Sequence, residues 1–113
     1  MPNLCKLNID ECMNINNLLM FTNLKILHAC GHCGVDQNGI KHLNLVELYA
    51  DYNRKIVDVS FMKNLRILEI SGINCGIGQE GIKNLNLLKL DAAHNNKIFD
   101  VSYMKNLQIL RPN

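Results

Sequence analysis

A duplicated stretch constrains the fold of this sequence more than any other feature. Residues 45–64 read LVELYADYNRKIVDVSFMKN, and 42 residues later the chain reads LLKLDAAHNNKIFDVSYMKN, with 12 of the 20 positions identical. One such unit cannot bury its apolar side chains alone, whereas stacked copies can. The duplication therefore predicts a protein built from stacked coils.

The retained residues have a spacing that predicts a short strand followed by a turn. Leu48 and Ala50 are two positions apart, so they point to the same side of a strand. Asn53 comes three residues later, where its amide can donate to and accept from backbone groups that water does not reach. Ile56 would close the core from the opposite wall. We therefore expect Asn53 and its counterpart Asn95 to bond to backbone, and the following strand residues to be buried: Leu27, Ala29, Leu48, Ala50, Leu68, Ile70, Leu90 and Ala92.

The spacing recurs along the whole chain, which predicts a single domain over residues 1–113. Coils begin at residues 4, 24, 45, 65 and 87, with a partial coil at 107. The predicted strands are parallel and lie at 6–10, 26–30, 47–51, 67–71, 88–92 and 108–111. Longer coils (24–44 and 65–86) should return through one short helical turn. Shorter coils return through Asp-Val-Ser, where Asp58 and Asp100 should cap a tight 3₁₀-like turn.

The pattern L-x-x-L-x-L-x-x-N-x-x-I, continued as Ile-x-Asp-Val-Ser-x-Met-x-x-Leu at residues 53–65 and 95–107, resembles a leucine-rich repeat. The units are similar to the short repeats of bacterial internalins and of the leucine-rich regulator of protein phosphatase 1. The 42-residue super-repeat resembles leucine-rich repeat proteins of giant DNA viruses such as the mimiviruses. The resemblance implies an α/β fold, namely a right-handed solenoid or horseshoe with a concave parallel sheet and short 3₁₀ or helical return arms. In the longer coils, His32 and Asn74 occupy the Asn slot in slightly shifted registers.

Composition narrows the compartment and the class of partner. The net charge of +2 is too small to indicate nucleic acid or a membrane surface by itself. No apolar run approaches the length of a membrane span, and five cysteines match no disulfide framework. We expect a reduced, cytoplasmic protein (in the host cytoplasm, if the protein is viral) with no cofactor and no nucleic-acid or membrane partner.

Cysteine and histidine raise one alternative. Cys12, Cys33 and Cys75 fall at positions expected to be core. His28 and Cys30 should instead project from the concave face, where a metal site or a Cys–His nucleophile is the competing interpretation. No second Cys-x-x-Cys or histidine pair supports it, so no catalytic residue and no metal ligand is assigned.

The predicted concave face carries six acidic and three basic residues, although the whole chain is positive. Tyrosine and exposed isoleucine on a rigid sheet are typical of binding hot spots. The predicted partner-binding residues are Tyr49, Tyr52, Asp51, Glu47, Glu69, Asp91, His28 and Ile67. Lysines collect elsewhere, at Lys41, Lys63, Lys83 and Lys105 along one edge, where a solvated edge is favoured over a phosphate site.

The functional hypothesis is a non-enzymatic module that binds a somewhat basic partner protein on its concave face. One alternative is the substrate-recognition arm of a multi-chain assembly, such as a ligase or phosphatase adaptor. The other is the metal or Cys–His site at His28 and Cys30. The first coil, at residues 4–22, is expected to be poorly ordered or covered by a second copy in a weak homodimer, because a terminal coil exposes half its core.

Overall fold

Six short strands form where the repeated Leu-x-Leu-like spacing predicts them. The computed structural model describes residues 3–112. The strands are β1 Lys6–Asn8, β2 Ile26–His28, β3 Glu47–Tyr49, β4 Ile67–Glu69, β5 Lys89–Asp91 and β6 Ile109–Arg111. All neighbours pair in parallel and in sequence order, β1-β2-β3-β4-β5-β6. The chain therefore completes one coil between successive strands, and the predicted parallel β-solenoid is confirmed.

The register of the sheet stacks equivalent leucines in one row. Leu27, Leu48, Leu68 and Leu90 are paired neighbours across β2 to β5. All four are completely buried, as are the four residues two positions further on: Ala29, Ala50, Ile70 and Ala92. The predicted core of the strands is confirmed.

Buried asparagines hold the corner after each shorter coil's strand. Asn53 Nδ2 donates to the carbonyl of Ala29 at 2.8 Å, one coil earlier. Its Oδ1 accepts from the amides of Lys55 and Ile56 at 2.8 and 3.2 Å. Two coils later, Asn95 Nδ2 likewise donates to the carbonyl of Ile70, and its Oδ1 accepts from the amide of Lys97. Its Nδ2 also donates to the carbonyl of Ile77. The predicted backbone bonding of both asparagines is confirmed.

In the longer coils this buried slot belongs to cysteine, and the placement of His32 and Asn74 there is wrong. Both of those side chains are exposed. Cys75 Sγ donates to the carbonyl of Ala50 at 3.5 Å, which matches the Asn53 bond to Ala29. Cys33 Sγ accepts from the amide of Val35 at 3.4 Å, so both thiols are core groups, as expected.

Cys12 departs from its prediction. Its carbonyl accepts from Gly34 N at 3.0 Å, so its backbone lies where that of Asn53 lies in the third coil, whose carbonyl accepts from Gly76. Its side chain is nevertheless exposed. No coil among residues 3–112 packs on that side of the first coil, so the prediction of a core cysteine is wrong here.

The return arms follow the two coil types. The longer coils contain the four-residue helix α1, Gln37–Ile40, and a 3₁₀ helix, Gln79–Ile82. In the shorter coils Asp58 Oδ1 accepts from the amide and hydroxyl of Ser60 at 2.9 and 2.7 Å, and Asp100 caps Ser102 in the same way. Both arm predictions are confirmed. Within the described residues, no helix has the length and apolarity needed to cross a membrane.

A glutamine of each longer coil fastens the next return arm. Gln37 Oε1 accepts from the amides of Val57 and Asp58, both at 2.9 Å, while its Nε2 donates to the Asp58 carbonyl at 2.8 Å. Gln79 makes the same three bonds to the arm that contains Asp100. The wall opposite the sheet is thus held by side-chain amides, as the corner is held by asparagine and cysteine.

Candidate functional site

One face of the sheet packs on the core, and the other carries the alternate strand residues. We call the second the open face. It contains two rows fixed by the parallel register: Lys6, Ile26, Glu47, Ile67, Lys89 and Ile109 in the first, and Asn8, His28, Tyr49, Glu69, Asp91 and Arg111 in the second. A third row, beyond the strand ends, includes Asp10, Cys30, Asp51 and Ser71. Seven of the eight predicted binding residues lie on this face.

An aromatic stack lies at the centre of the open face. The rings of His28 and Tyr49 are 4.2 Å apart between centroids and inclined by only 14°. The Tyr49 hydroxyl donates to Glu47 Oε1 at 2.6 Å. Burial, and then this bond to Glu47, raise the pKa of Tyr49 to about 12. The phenol therefore stays a neutral donor, and the two rings form a fixed apolar platform with an acid at its edge.

Two carboxyl groups lie side by side next to the platform. Asp51 Oδ1 accepts from the Ser71 amide at 2.7 Å. Burial of Glu69, together with its hydrogen bond to Asp51 and the negative charge there, raises the Glu69 pKa above its usual value. The Lys89 ammonium, 3.6 Å from Glu69 Oε2, acts in the opposite direction. The pair can hold a shared proton, and a further positive charge would stabilise its fully ionised form.

Asp91 is on the open face but is not free to contact a partner. It is only 8% exposed. Its Oδ1 accepts from the Ser71 hydroxyl and the Ala93 amide, and its Oδ2 lies 3.5 Å from Arg111. Asp91 therefore positions neighbouring groups. Ile67, by contrast, is half-buried beside the Glu47 position and presents apolar surface.

Tyr52 lies at the corner beyond the strand, outside the three rows of the open face although it directly follows Asp51. Its φ is +62°, and its ring lies against Gly72, where any Cβ would overlap the ring atoms. Gly72 itself has φ +108°. Tyr52 is 58% exposed, so the glycine supports a ring that remains available to a ligand.

The Cys–His alternative finds little support in the geometry around Cys30. Burial, followed by the charges of Asp10 and Asp51, raises the Cys30 pKa to about 12. A nucleophilic cysteine needs the opposite, a pKa low enough to give thiolate. Its Sγ lies 3.9 Å from Asp51 Oδ2, while His28 stacks on Tyr49. In the part of the chain that the structure describes, no group of three or more His, Cys, Asp or Glu side chains could hold a metal ion.

The edge lysines are solvated. Lys41, Lys63, Lys83 and Lys105 are all exposed. Lys83 pairs with Glu80 at 3.7 Å, one helical turn away, and Lys63 Nζ reaches the Ser60 carbonyl at 3.5 Å. Both contacts are local, between residues three positions apart in the chain.

Sequence reasoning missed a cleft outside the open face. It lies at the corner beside Tyr52 and adds Met13, His32, Arg54 and Lys55 to the candidate residues. These side chains come from three different coils, and of the four only Lys55 belongs to the retained repeat positions. The only sequence feature that marks this region is the pair of adjacent cations at 54–55. Nothing in the sequence indicates a cavity beside that pair.

Comparisons with protein-family models, curated proteins and solved structures gave no match for this chain.

Proposed function

We propose that the chain is a non-enzymatic protein-binding module whose open face receives a basic segment of a partner protein. The observation that carries the proposal is the fixed His28–Tyr49 platform beside the Asp51–Glu69 carboxyl pair. Aromatic side chains already held in place lose little conformational entropy on binding. Such rigid, partly exposed aromatic groups are the usual anchors of protein interfaces.

Charge on the open face supports a cationic partner. Glu69 and Asp91 have internal cations in Lys89 and Arg111. Glu47 and Asp51 form no ion pair with any of the described residues. A partner lysine or arginine near Asp51 would also favour ionised Glu69, whose pKa is raised. Binding should then release a proton, and affinity should increase as pH rises through the Glu69 titration range.

We also propose that the solenoid is a leucine-rich repeat horseshoe whose concave side is the open face. We propose that the protein acts in the cytoplasm. The rows of buried leucine and the buried asparagine ladder support the repeat identity. The five cysteines are all free thiols, which fits a reducing compartment.

The test is a double substitution of the aromatic anchors, Tyr49→Ala with Tyr52→Ala. The partner is recovered by affinity capture and mass spectrometry, purified, and titrated into each variant by calorimetry. We expect a loss of more than about 2 kcal/mol, or about 30-fold in Kd, because hot-spot rings contribute on this scale. The free energy of unfolding of the double variant should change by much less than its free energy of binding, since both rings lie outside the core.

The matched control is Phe99→Ala, because Phe99 is a highly exposed ring on a return arm, away from the open face. It should leave affinity unchanged. Loss of binding in a Lys63→Ala and Lys105→Ala protein, with affinity retained in the double tyrosine variant, would identify the lysine edge as the interface and refute the proposal.

A further inference from the structure

A cleft opens at the corner where the second and third coils leave the sheet, beyond the ends of β2 and β3. We call it the corner cleft. Its volume is about 260 Å³, and it is lined by Met13, Gly31, His32, Cys33, Tyr52, Arg54 and Lys55. A neighbouring hollow of about 330 Å³ shares four of these residues and extends toward Glu11 and Asn74. The cleft is smaller than the usual site for a drug-sized ligand, so it suits a single ring with one attached group.

The glycine in the lining explains how the cleft forms. Gly31 has φ +72° and no side chain, and the Glu11 carboxylate lies directly across it, where a Cβ would overlap. Glu11 Oε1 accepts from the His32 amide at 3.0 Å and lies 3.5 Å from His32 Nδ1. The acid is therefore engaged at the His32 end of the cleft.

Two cations line the cleft without an acid to neutralise them. Arg54 and Lys55 are both exposed. Neither side chain forms a hydrogen bond or ion pair with any residue in the range 3–112. Two cations on the open face differ, because Lys89 and Arg111 are each paired with a carboxylate. The cleft thus holds adjacent positive charges beside the Tyr52 ring.

The second super-repeat shows how the same corner can be closed. There Lys97, the counterpart of Lys55, donates from Nζ to the Cys75 carbonyl at 2.8 Å. Its stem lies against Gly78, where an added Cβ would come within 3.2 Å of the Lys97 Cβ. Asp36 stands at the position of Gly78 in the first super-repeat. A Cβ at this position would crowd a lysine placed as Lys97 is, and among residues 3–112 the Lys55 ammonium makes no bond that corresponds to the one from Lys97.

We infer that the corner cleft binds a small oxyanion carried on an aromatic ring, with the anion at Arg54 and Lys55 and the ring against Tyr52 and Met13. A guanidinium and an ammonium together suit a carboxylate or a phosphate. The tyrosine ring and the methionine sulfur both make favourable contacts with a flat aromatic group. This inference does not depend on the open face binding a protein, and small probes test it without any partner.

The first experiment titrates ¹⁵N-labelled protein with four probes and follows amide shifts. Phenyl phosphate and benzoate should both saturate the shifts of Gly31, Tyr52 and Lys55, and the tighter of the two identifies the preferred oxyanion. Inorganic phosphate and benzyl alcohol, which each carry half of the proposed ligand, should bind more weakly. If neither aryl anion saturates, or if benzyl alcohol binds as tightly as they do, the inference is overturned.

The second experiment removes the cations with Arg54→Gln and Lys55→Gln together. Affinity for the better aryl anion should fall about tenfold or more, because each charge-assisted bond contributes on that scale. Both side chains are exposed, so folding should persist. The matched control, Lys63→Gln with Lys105→Gln, removes the same net charge elsewhere and should leave affinity within about twofold after screening by 0.15 M salt. If the two double variants lose affinity equally, the loss results from net charge alone, and the assigned site is overturned.

Discussion

At the residue scale, the solenoid depends on polar side chains that are buried with every hydrogen bond made. Asn53 and Asn95 lie in the core, and each bonds both to the preceding coil and to its own turn. Where a strand turns into a packed corner, its backbone amides and carbonyls are out of reach of water. A side-chain amide can bond to them instead. Among the described residues, no buried side-chain nitrogen or oxygen is left without a partner.

Asn53→Ala should therefore destabilise the protein by about 1–3 kcal/mol, since it leaves buried backbone groups unpaired. Urea unfolding followed by circular dichroism measures the change. Asn74→Ala is the matched control, because that side chain is exposed, and its effect should stay within about 0.5 kcal/mol. Equal effects at the two positions would show that the buried ladder contributes nothing to stability.

The sequence predicted this ladder only where the coil length is regular. From Ala50 to Asn53 the chain advances three residues, but it advances four from Ala29 to Cys33 and five from Ile70 to Cys75. Counting eight residues from the first leucine gives His32 in the second coil and Ile73 in the fourth, so the slot was assigned to His32 and to the neighbouring Asn74. A residue with positive φ stands at the same corner position in all five coils, namely Glu11, Gly31, Tyr52, Gly72 and His94. The extra residues therefore lie between this residue and the cysteine, a shift that position counting does not register.

The carboxyl pair on the open face makes a second prediction at this scale. Asp51→Asn should lower the Glu69 pKa toward its ordinary value, because it removes the like charge. Part of the elevation should remain, since burial is its largest cause. A carboxyl-detected NMR titration measures this, and Asp10→Asn, three coils away from Glu69, should leave the Glu69 titration unchanged.

The sign of the linked stability effect follows from the same shift. The folded-state pKa of Glu69 lies above its unfolded value, so its ionisation reduces stability as pH rises through the interval between them. Asp51→Asn should bring the folded-state pKa of Glu69 closer to its unfolded value, so that stability depends less on pH. A Glu69 titration that does not change in the Asp51→Asn protein would contradict the pairing of the two carboxyls.

At the element scale, the return arms are joined by one glutamine per longer coil. Gln37 bonds three backbone groups of the arm that follows, which has no regular secondary structure of its own. The arm would otherwise expose its amides to exchange. Gln79 repeats the arrangement in the next super-repeat, so this clamp forms at both junctions where a longer coil precedes a shorter one.

Gln37→Ala should destabilise the protein by about 1–3 kcal/mol, because three hydrogen bonds to the arm are lost. Amide exchange at Val57 and Asp58 should speed up more than exchange in β3. Asn38→Ala, on the exposed side of the same helix, is the control and should leave both amides protected. If amide exchange in the Gln37→Ala protein instead speeds up equally over the whole chain, the arm does not unfold independently of the rest of the protein, and the clamp does not act locally.

The strands could be predicted because their signal lies within a few consecutive residues. Alternation and leucine spacing determine which side of β2 to β5 is buried, and all eight predicted core residues were correct. The glutamine clamp and the corner cleft could not be predicted in this way. Gln37 meets its partners 20 and 21 residues along the chain, and Met13, Tyr52 and Arg54 meet only because three coils stack.

At the scale of the whole molecule, the two ends of the solenoid are open in different ways. Leu110 of β6 is 42% exposed, although its row partners in β2 to β5 are fully buried. Ile109 and Phe99 are exposed at the same end. At the other end, Cys12 occupies the backbone position of Asn53 with no earlier coil among residues 3–112 to bond to. Within residues 3–112, β1 and β6 each have one strand edge without a neighbour, and exposed apolar surface beside such an edge favours association.

The alternation of the coils determines which ends fit together. The first row of the open face alternates between charged and isoleucine side chains: Lys6, Ile26, Glu47, Ile67, Lys89 and Ile109. β6 is therefore of the longer type and β1 of the shorter type. Placing β1 of a second copy beside β6 continues the alternation and the parallel register, whereas two first coils facing each other would break both. We expect the first coil to be covered by this head-to-tail contact.

Sedimentation equilibrium under reducing conditions should show the average mass of the 113-residue chain rising with concentration. Leu110→Asp and Cys12→Asp each place a charge on one end only, so each protein should be monomeric alone. Mixed in equal amounts, they should form a heterodimer through the two unmodified ends, because a head-to-tail interface uses a different surface on each molecule. A contact between two first coils gives a different pattern, in which Leu110→Asp still dimerises and mixing restores nothing.

Hydrogen exchange on residues 4–22 should slow as the wild-type concentration rises. A strict monomer with a first coil as protected as the central coils would show that the end needs no cover.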